Sequence, residues 1–187
     1  MPHTILIHFV PHTPAWAARA ARDANRVRRV MGEGGGPVHH VGATSVPGLS
    51  AVPIVDLAAE IATLALLTAL RLRLLAHGFR PAGTPGVYHA ADPVSRCVET
   101  ELRFYPADDP AMEQVIALFA YLRANPAMAK AYEAAKQQGR ARHGVNHDAY
   151  HAAKQEWVQR HLDAALHFWR SVPVRPPGAS PMPAWPA

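Results

Sequence analysis

The chain has 187 residues, 49% of them hydrophobic, enough for one domain with a full core. A single cysteine, Cys97, excludes an intrachain disulfide and a cysteine-rich zinc site and fits a reducing cytoplasm. The net charge of +5 favours anionic ligands. No zinc finger, aromatic RNA-binding signature or lysine-rich tract points to a nucleic-acid partner.

The first residues, MPHTILIHFVPH, lack a charged n-region and a long apolar stretch, so no signal peptide is expected. Ile5 to Val10 reads as a strand stopped by Pro11 and Pro14. Trp16, Ala20, Val27 and Met31 fall at near-helical spacing and define the first helix. Arg26, Arg28 and Arg29 read as its wet face, and Gly32 to Pro37 end it. Val38 to Val41 is a short strand. Pro47-Gly48 fits a type II turn, and Pro53 to Ile61 is the next strand.

Thr63 caps a helix that runs to about Ala76 and stops at Gly78. That segment is too short and too charged, with Arg71 and Arg73, to span a membrane. Phe79 to Ala91 reads as a ragged hairpin. Ser95 to Tyr105 alternates, with Cys97, Glu99 and Glu101 on one side. Asp108 and Asp109 cap the helix after Pro110, which carries Val115, Leu118, Phe119 and Leu122. Pro126 starts a second helix reaching about Arg142. Asp148 caps a third, with Val158, Leu162, Leu166 and Trp169 on its buried side. The last fifteen residues hold six prolines and read as a disordered tail over 173–187. The order is a sheet-containing half, 1–106, then a helical half, 107–172. It predicts an α+β fold rather than a doubly wound α/β sheet.

The stretch VHHVGATSVPGLSAVPIVDLA, residues 38–58, carries the chemistry. Nucleotidyl transfer needs backbone N–H groups and hydroxyls for phosphate oxygens, carboxylates for magnesium, and cations for the charge that builds up. Gly42 allows a close backbone approach, Thr44 and Ser45 supply hydroxyls, and Asp56 sits on the adjoining strand. The same pattern equally describes a tight loop whose hydroxyls satisfy local backbone groups.

The segment HVGATSVPGLSAVPIVD resembles the signature of the GrpB family, and VPHTPAWAARAARDANRV, YLRANPAMAKAYEAAK and AYHAAKQEWV resemble its flanking helices. The resemblance covers about residues 5 to 168. It implies a nucleotidyltransferase-like fold: a small mixed sheet with flanking helices and a C-terminal helical part. Three positions depart from the pattern. Ala43 replaces a loop serine, and Val52 a lysine. Ala58 stands where an active nucleotidyltransferase places a second carboxylate. Family basic positions match Arg123, Lys136 and Lys154, which the resemblance would put on phosphate. Tyr132 shares a helix face with Lys136, and Tyr150 with Lys154.

Alternation places Glu99, Glu101 and Arg103 together, so Glu101 is the expected second metal ligand beside Asp56, or a general base. His39 and His40 are consecutive and face opposite sides of their strand. His40 occupies the family's histidine position and is expected in the site. The expected activity is therefore an enzyme acting on a nucleoside triphosphate or another phosphorylated, anionic small molecule. A divalent metal, Mg or Mn, would be held by Asp56 and Glu101, and Arg123 and Lys154 would neutralise phosphate. A non-catalytic nucleotide- or anion-binding module with a degenerate site is the alternative that Ala58 favours. A third reading is a zinc or iron enzyme built on His40, His89 and Glu101. Cys97 is expected as a small core residue.

Overall fold

The computed structural model describes residues 8–33, 35–143 and 146–172. Helix α1 (Ala15–Met31) buries Trp16, Ala20, Ala24, Val27 and Val30, one stripe at three- and four-residue steps. Strand β1 (Val38–Val41) follows, then a single 3-10 turn at Ala43–Ser45, and β2 (Val55–Ile61). After α2 (Leu66–Ala76) come β3 (Arg80–Pro81), β4 (Val87–Ala91) and β5 (Val98–Pro106). Three helices complete the order: α3 (Pro110–Ala124), α4 (Pro126–His143) and α5 (His147–Ser171).

The five strands lie in the order β1-β2-β5-β4-β3. The central β2–β5 pair is parallel and the other pairs are antiparallel. The two sheet faces belong to different cores. Val55, Leu57, Ala59, Thr100, Leu102 and Phe104 point toward α1 and α2. Val41, Asp56, Ala58, Glu101 and Arg103 point toward α3, α4 and α5, where Met112, Leu122, Tyr132 and Trp157 build a second core. The sheet is thus covered by helices on both faces in an α+β arrangement.

Several local expectations need correction. Half of the strand expected at Ile5–Val10, residues 5–7, lies outside the described residues; within them Val10 makes an isolated antiparallel bridge to Ala51. The tail 173–187 also lies outside them. Ser95 to Cys97 belongs to the β4–β5 turn, because Asp92 accepts from the Val94 and Ser95 amides at 3.0 and 2.7 Å and draws the chain back. Cys97 is therefore exposed rather than in the core. Arg26 is half-buried, bonded to Asp23 and stacked over Phe79, so of these three arginines Arg28 and Arg29 lie on the wet face of α1. Helix α5 is capped by Asn146, whose Oδ1 accepts from the Ala149 amide at 3.0 Å, two residues before Asp148. Asp109 does cap α3, accepting from Ala111 at 2.9 Å.

Candidate functional site

The register of β2 on β5 sets the floor of the site. Asp56 lies beside Glu101, and one rung on Ala58 lies beside Arg103. Paired residues on neighbouring strands share a face, so two carboxylates project together toward the C-terminal helices. His89 on β4 stands on the far side of Glu101, its Nε2 3.3 Å from Glu101 Oε2. Arg103 donates to the other oxygen, Oε1, at 3.4 Å.

The loop after β1 closes directly onto Asp56. Gly42 has φ +75°, a region that side-chain-bearing residues avoid. A Cβ there would sit 1.9 Å from Asp56 Oδ2. Glycine is needed at this position for the carboxylate as much as for the turn. The loop and Asp56 share one space, as the sequence suggested.

Among the described residues no hydrogen-bond donor or ion-pair partner reaches the Asp56 carboxylate. Burial, reinforced by the neighbouring Glu101, pushes its pKa up to about 7; Lys154 and Arg103 act in the opposite sense but less strongly. Asp56 retains partial solvent access while standing in a densely packed surround. Lys154 on α5 is half-buried and likewise has no carboxylate within ion-pairing reach among those residues. Its pKa is lowered by burial, which the fields of Asp56 and Glu101 offset only in part.

The loop hydroxyls behave differently. Thr44 is 2% exposed, and its Oγ1 lies 3.0 Å from His40 Nε2. Ser45 Oγ donates to the Gly42 carbonyl at 2.7 Å and accepts from Arg123 Nη1 at 3.0 Å. Both hydroxyls, expected on a phosphate, are engaged in shaping the loop. Arg123 stands behind that loop rather than on the cavity wall, and burial lowers its pKa to about 10.

His40 must be corrected outright. It pairs with Leu57, not with Asp56, and so belongs to the α1 face. Burial, with Arg123 and His12 nearby, lowers its pKa to about 4, so it is a neutral support under Thr44. His39, on the Asp56 face, lies at the far end of β1 beside Ala58. A joint His40/His89/Glu101 zinc or iron site is therefore not built. Among the described residues no group of three or more His, Cys, Asp or Glu side chains is placed to hold a metal. Asp56 with Glu101 offers two carboxylates, a donor set suited to a hard cation that takes its other ligands from water and phosphate.

Lys136 is 3% exposed and already occupied. Its Nζ lies 2.8 Å from Glu133 Oε2, donates to the Ser50 carbonyl, and sits over the rings of Phe9 and Tyr132. The Glu133 contact is an ion pair outside hydrogen-bonding angles. Glu133 also accepts from the Ser50 hydroxyl, and Gln137 donates to that hydroxyl at 3.3 Å. Three residues on one face of α4 thus grip the end of the 42–50 loop. The i, i+3, i+4 spacing of Glu133, Lys136 and Gln137 is visible in the sequence; their target is not.

These groups surround a cavity of about 380 Å³, within the range of small-molecule sites. Gly42, Thr44, Asp56, Glu101, Lys136 and Lys154 line it; Ser45, Arg123 and His40 do not. Aromatic walls come from Phe9, Tyr105, Phe119, Tyr132 and Tyr150. Burial pushes the Tyr150 pKa up to about 12 and raises that of Tyr132 as well, so both phenols stay protonated as donors. No helix among the described residues is long and apolar enough to cross a membrane.

Comparison with known proteins gives a consistent relationship. A family model described as GrpB protein matches residues 6–164. The UPF0157 protein YqkA of Bacillus subtilis is 27% identical over 157 residues, covering 82% of this chain and 45% of YqkA. A dephospho-CoA kinase of Mycolicibacterium paratuberculosis is 28% identical over 194 residues, covering 87% of this chain and 46% of that protein. The chain thus spans about half the length of these curated relatives. The crystal structure of a conserved protein GrpB from Enterococcus faecalis superimposes with a TM-score of 0.75 at 24% identity, over 88% of this chain and 100% of that one.

Proposed function

The chain belongs to the GrpB family, and from that premise we propose that its cavity binds a nucleotide or similar phosphorylated small molecule together with a divalent cation, Mg or Mn. One observation carries the reading: an Asp56 carboxylate beside Glu101 faces the same cavity as the Lys154 ammonium, and neither has a hydrogen-bond or ion-pair partner among the described residues. Burying charges without partners costs free energy that a packed fold avoids unless a ligand supplies the compensation. Lys154 and Arg103 are the cations for phosphate. The aromatic walls suit the ring system of the ligand. Lys136 and Arg123, expected as phosphate ligands, act instead by holding the loop in place.

A bound divalent cation would supply charge neutralisation and Lewis acidity at the phosphate. With such a ligand the site is that of a phosphoryl- or nucleotidyl-transferring enzyme. Ala58, which leaves the second rung without a carboxylate, favours the second reading of a non-catalytic binding module.

The test is titration calorimetry with ATP, UTP and dephospho-CoA, each with and without Mg or Mn. Dephospho-CoA belongs in the panel because one relative is named a dephospho-CoA kinase. Wild type is expected to bind at least one of them in a metal-dependent manner. Asp56→Asn is expected to weaken that binding at least about tenfold, ~1.4 kcal/mol. Equal affinities for the two proteins overturn the reading. Turnover of a labelled nucleotide against a panel of acceptors separates the enzyme from the module.

A further inference from the structure

We infer that this site accepts a single divalent cation, and that the Lys154 ammonium together with the Arg103 guanidinium takes the place of a second one. The inference rests on the cation- and phosphate-binding reading above and concerns how the charge in the cavity is balanced.

The sheet register supports it. The first rung, Asp56 beside Glu101, brings two carboxyl groups together, and both are ionised when they ligate a cation. The second rung, Ala58 beside Arg103, carries no oxygen donor and one fixed positive charge. A second divalent ion bridging toward that rung would meet a methyl group and a guanidinium. Hard cations need oxygen ligands, and like charges at close range repel. Ala58 lines the cavity beside Arg103, and its methyl group offers a cation no ligand in the missing carboxylate's place.

The opposite wall is cationic as well. Lys154 is close enough for Asp56 and Glu101 to act on it electrostatically. Its ammonium donates hydrogen bonds and accepts none, so it competes with a metal for the carboxylates and cannot ligate one. The remaining polar groups near the carboxylates do not change this balance. His89 lies against Glu101, the Tyr132 and Tyr150 phenols stay protonated, and the Lys136 charge is matched by Glu133. With one divalent ion bound, the Lys154 and Arg103 charges bring the site to the same formal charge that two divalent ions would give without them, and a second ion finds no oxygen donor on the Ala58–Arg103 rung.

The experiment counts Mn²⁺ ions bound per full-length chain by electron paramagnetic resonance, in the presence of a non-hydrolysable ATP analogue. One ion per chain is expected. Two ions per chain overturn this inference while leaving the binding reading intact; no bound ion overturns both. Lys154→Met adds a readout independent of stoichiometry. Removing the competing cation is expected to tighten Mn²⁺ binding without nucleotide by about fivefold and to weaken the analogue's binding. Lys154→Arg, which keeps the charge, is expected to restore wild-type Mn²⁺ affinity. Unchanged Mn²⁺ affinity in folded Lys154→Met overturns the role assigned to Lys154.

Discussion

On the α1 side of the sheet, Asp23 is 2% exposed and both of its oxygens are used. Arg26 Nη1 donates to Oδ1 at 2.8 Å, and the Thr100 hydroxyl donates to Oδ2 at 2.6 Å. On the other side, Asp56 stands one rung away beside Glu101 with no donor among the described residues. The two aspartates are chemically identical and only the thickness of the sheet separates their environments. The first is a buried charge satisfied by its own chain, and it ties α1 to β5. The second is a charge left unsatisfied next to a cavity. Satisfied polar networks specify and hold a fold, whereas unsatisfied ones cost stability and are retained where a ligand completes them.

The largest expected effect tests the paired side. Asp23→Ala leaves Arg26 and the Thr100 hydroxyl without their acceptor, and should cost about 3–5 kcal/mol in urea denaturation. A cost below about 1 kcal/mol would erase the contrast with Asp56.

Gly42→Ala is next. It forces a side chain to positive φ and drives a methyl group into the Asp56 carboxylate, at about 2–4 kcal/mol together. Nucleotide binding should fall with it, because the loop and the carboxylate can no longer occupy their common space. A variant of wild-type stability would mean that the loop does not rest on Asp56.

Asp56→Asn has the smallest effect and the opposite sign. The folded-state pKa near 7 lies above the ordinary 3.8, so the folded chain holds a proton that the unfolded chain releases. Wild-type stability should therefore fall as pH rises from about 4 to about 7 and level off above. The asparagine variant lacks this decline and should be the more stable protein at pH 8. The gain should be about 2 kcal/mol once partial solvent access is allowed for, and should shrink toward pH 4. Parallel thermal-stability curves for the two proteins across that range would show that Asp56 is not strained.

Much of the architecture is legible from punctuation and period. Gly32 to Pro37, Gly78 and Pro110 mark where elements stop, and the alternation of Val98 to Tyr105 by itself puts Glu101 and Arg103 on one face. Local chemistry overrides these signals only at element ends. Asp92 turns Ser95 to Cys97 out of the strand, and Asn146 rather than Asp148 caps α5. The site is legible in part. Alternation groups Asp56 with Ala58 and Glu101 with Arg103 within each strand, and the parallel register of β2 on β5 then puts the two carboxylates on one face. The expectation for His40 fails because alternation says only that His39 and His40 diverge, and not which of them faces Asp56.

The sequence by itself determined the elements, their order and the family, since each depends on residues near one another along the chain or on a contiguous signature. Tertiary structure alone decided which side chains remain available for a ligand. Lys136 and Lys154 occupy comparable helix positions, yet one is held by Glu133 and Ser50 and the other faces the cavity with no ion-pair partner among the described residues. Whether a charge has a partner depends on segments up to 86 residues apart meeting at hydrogen-bond distance, and no local pattern encodes that meeting.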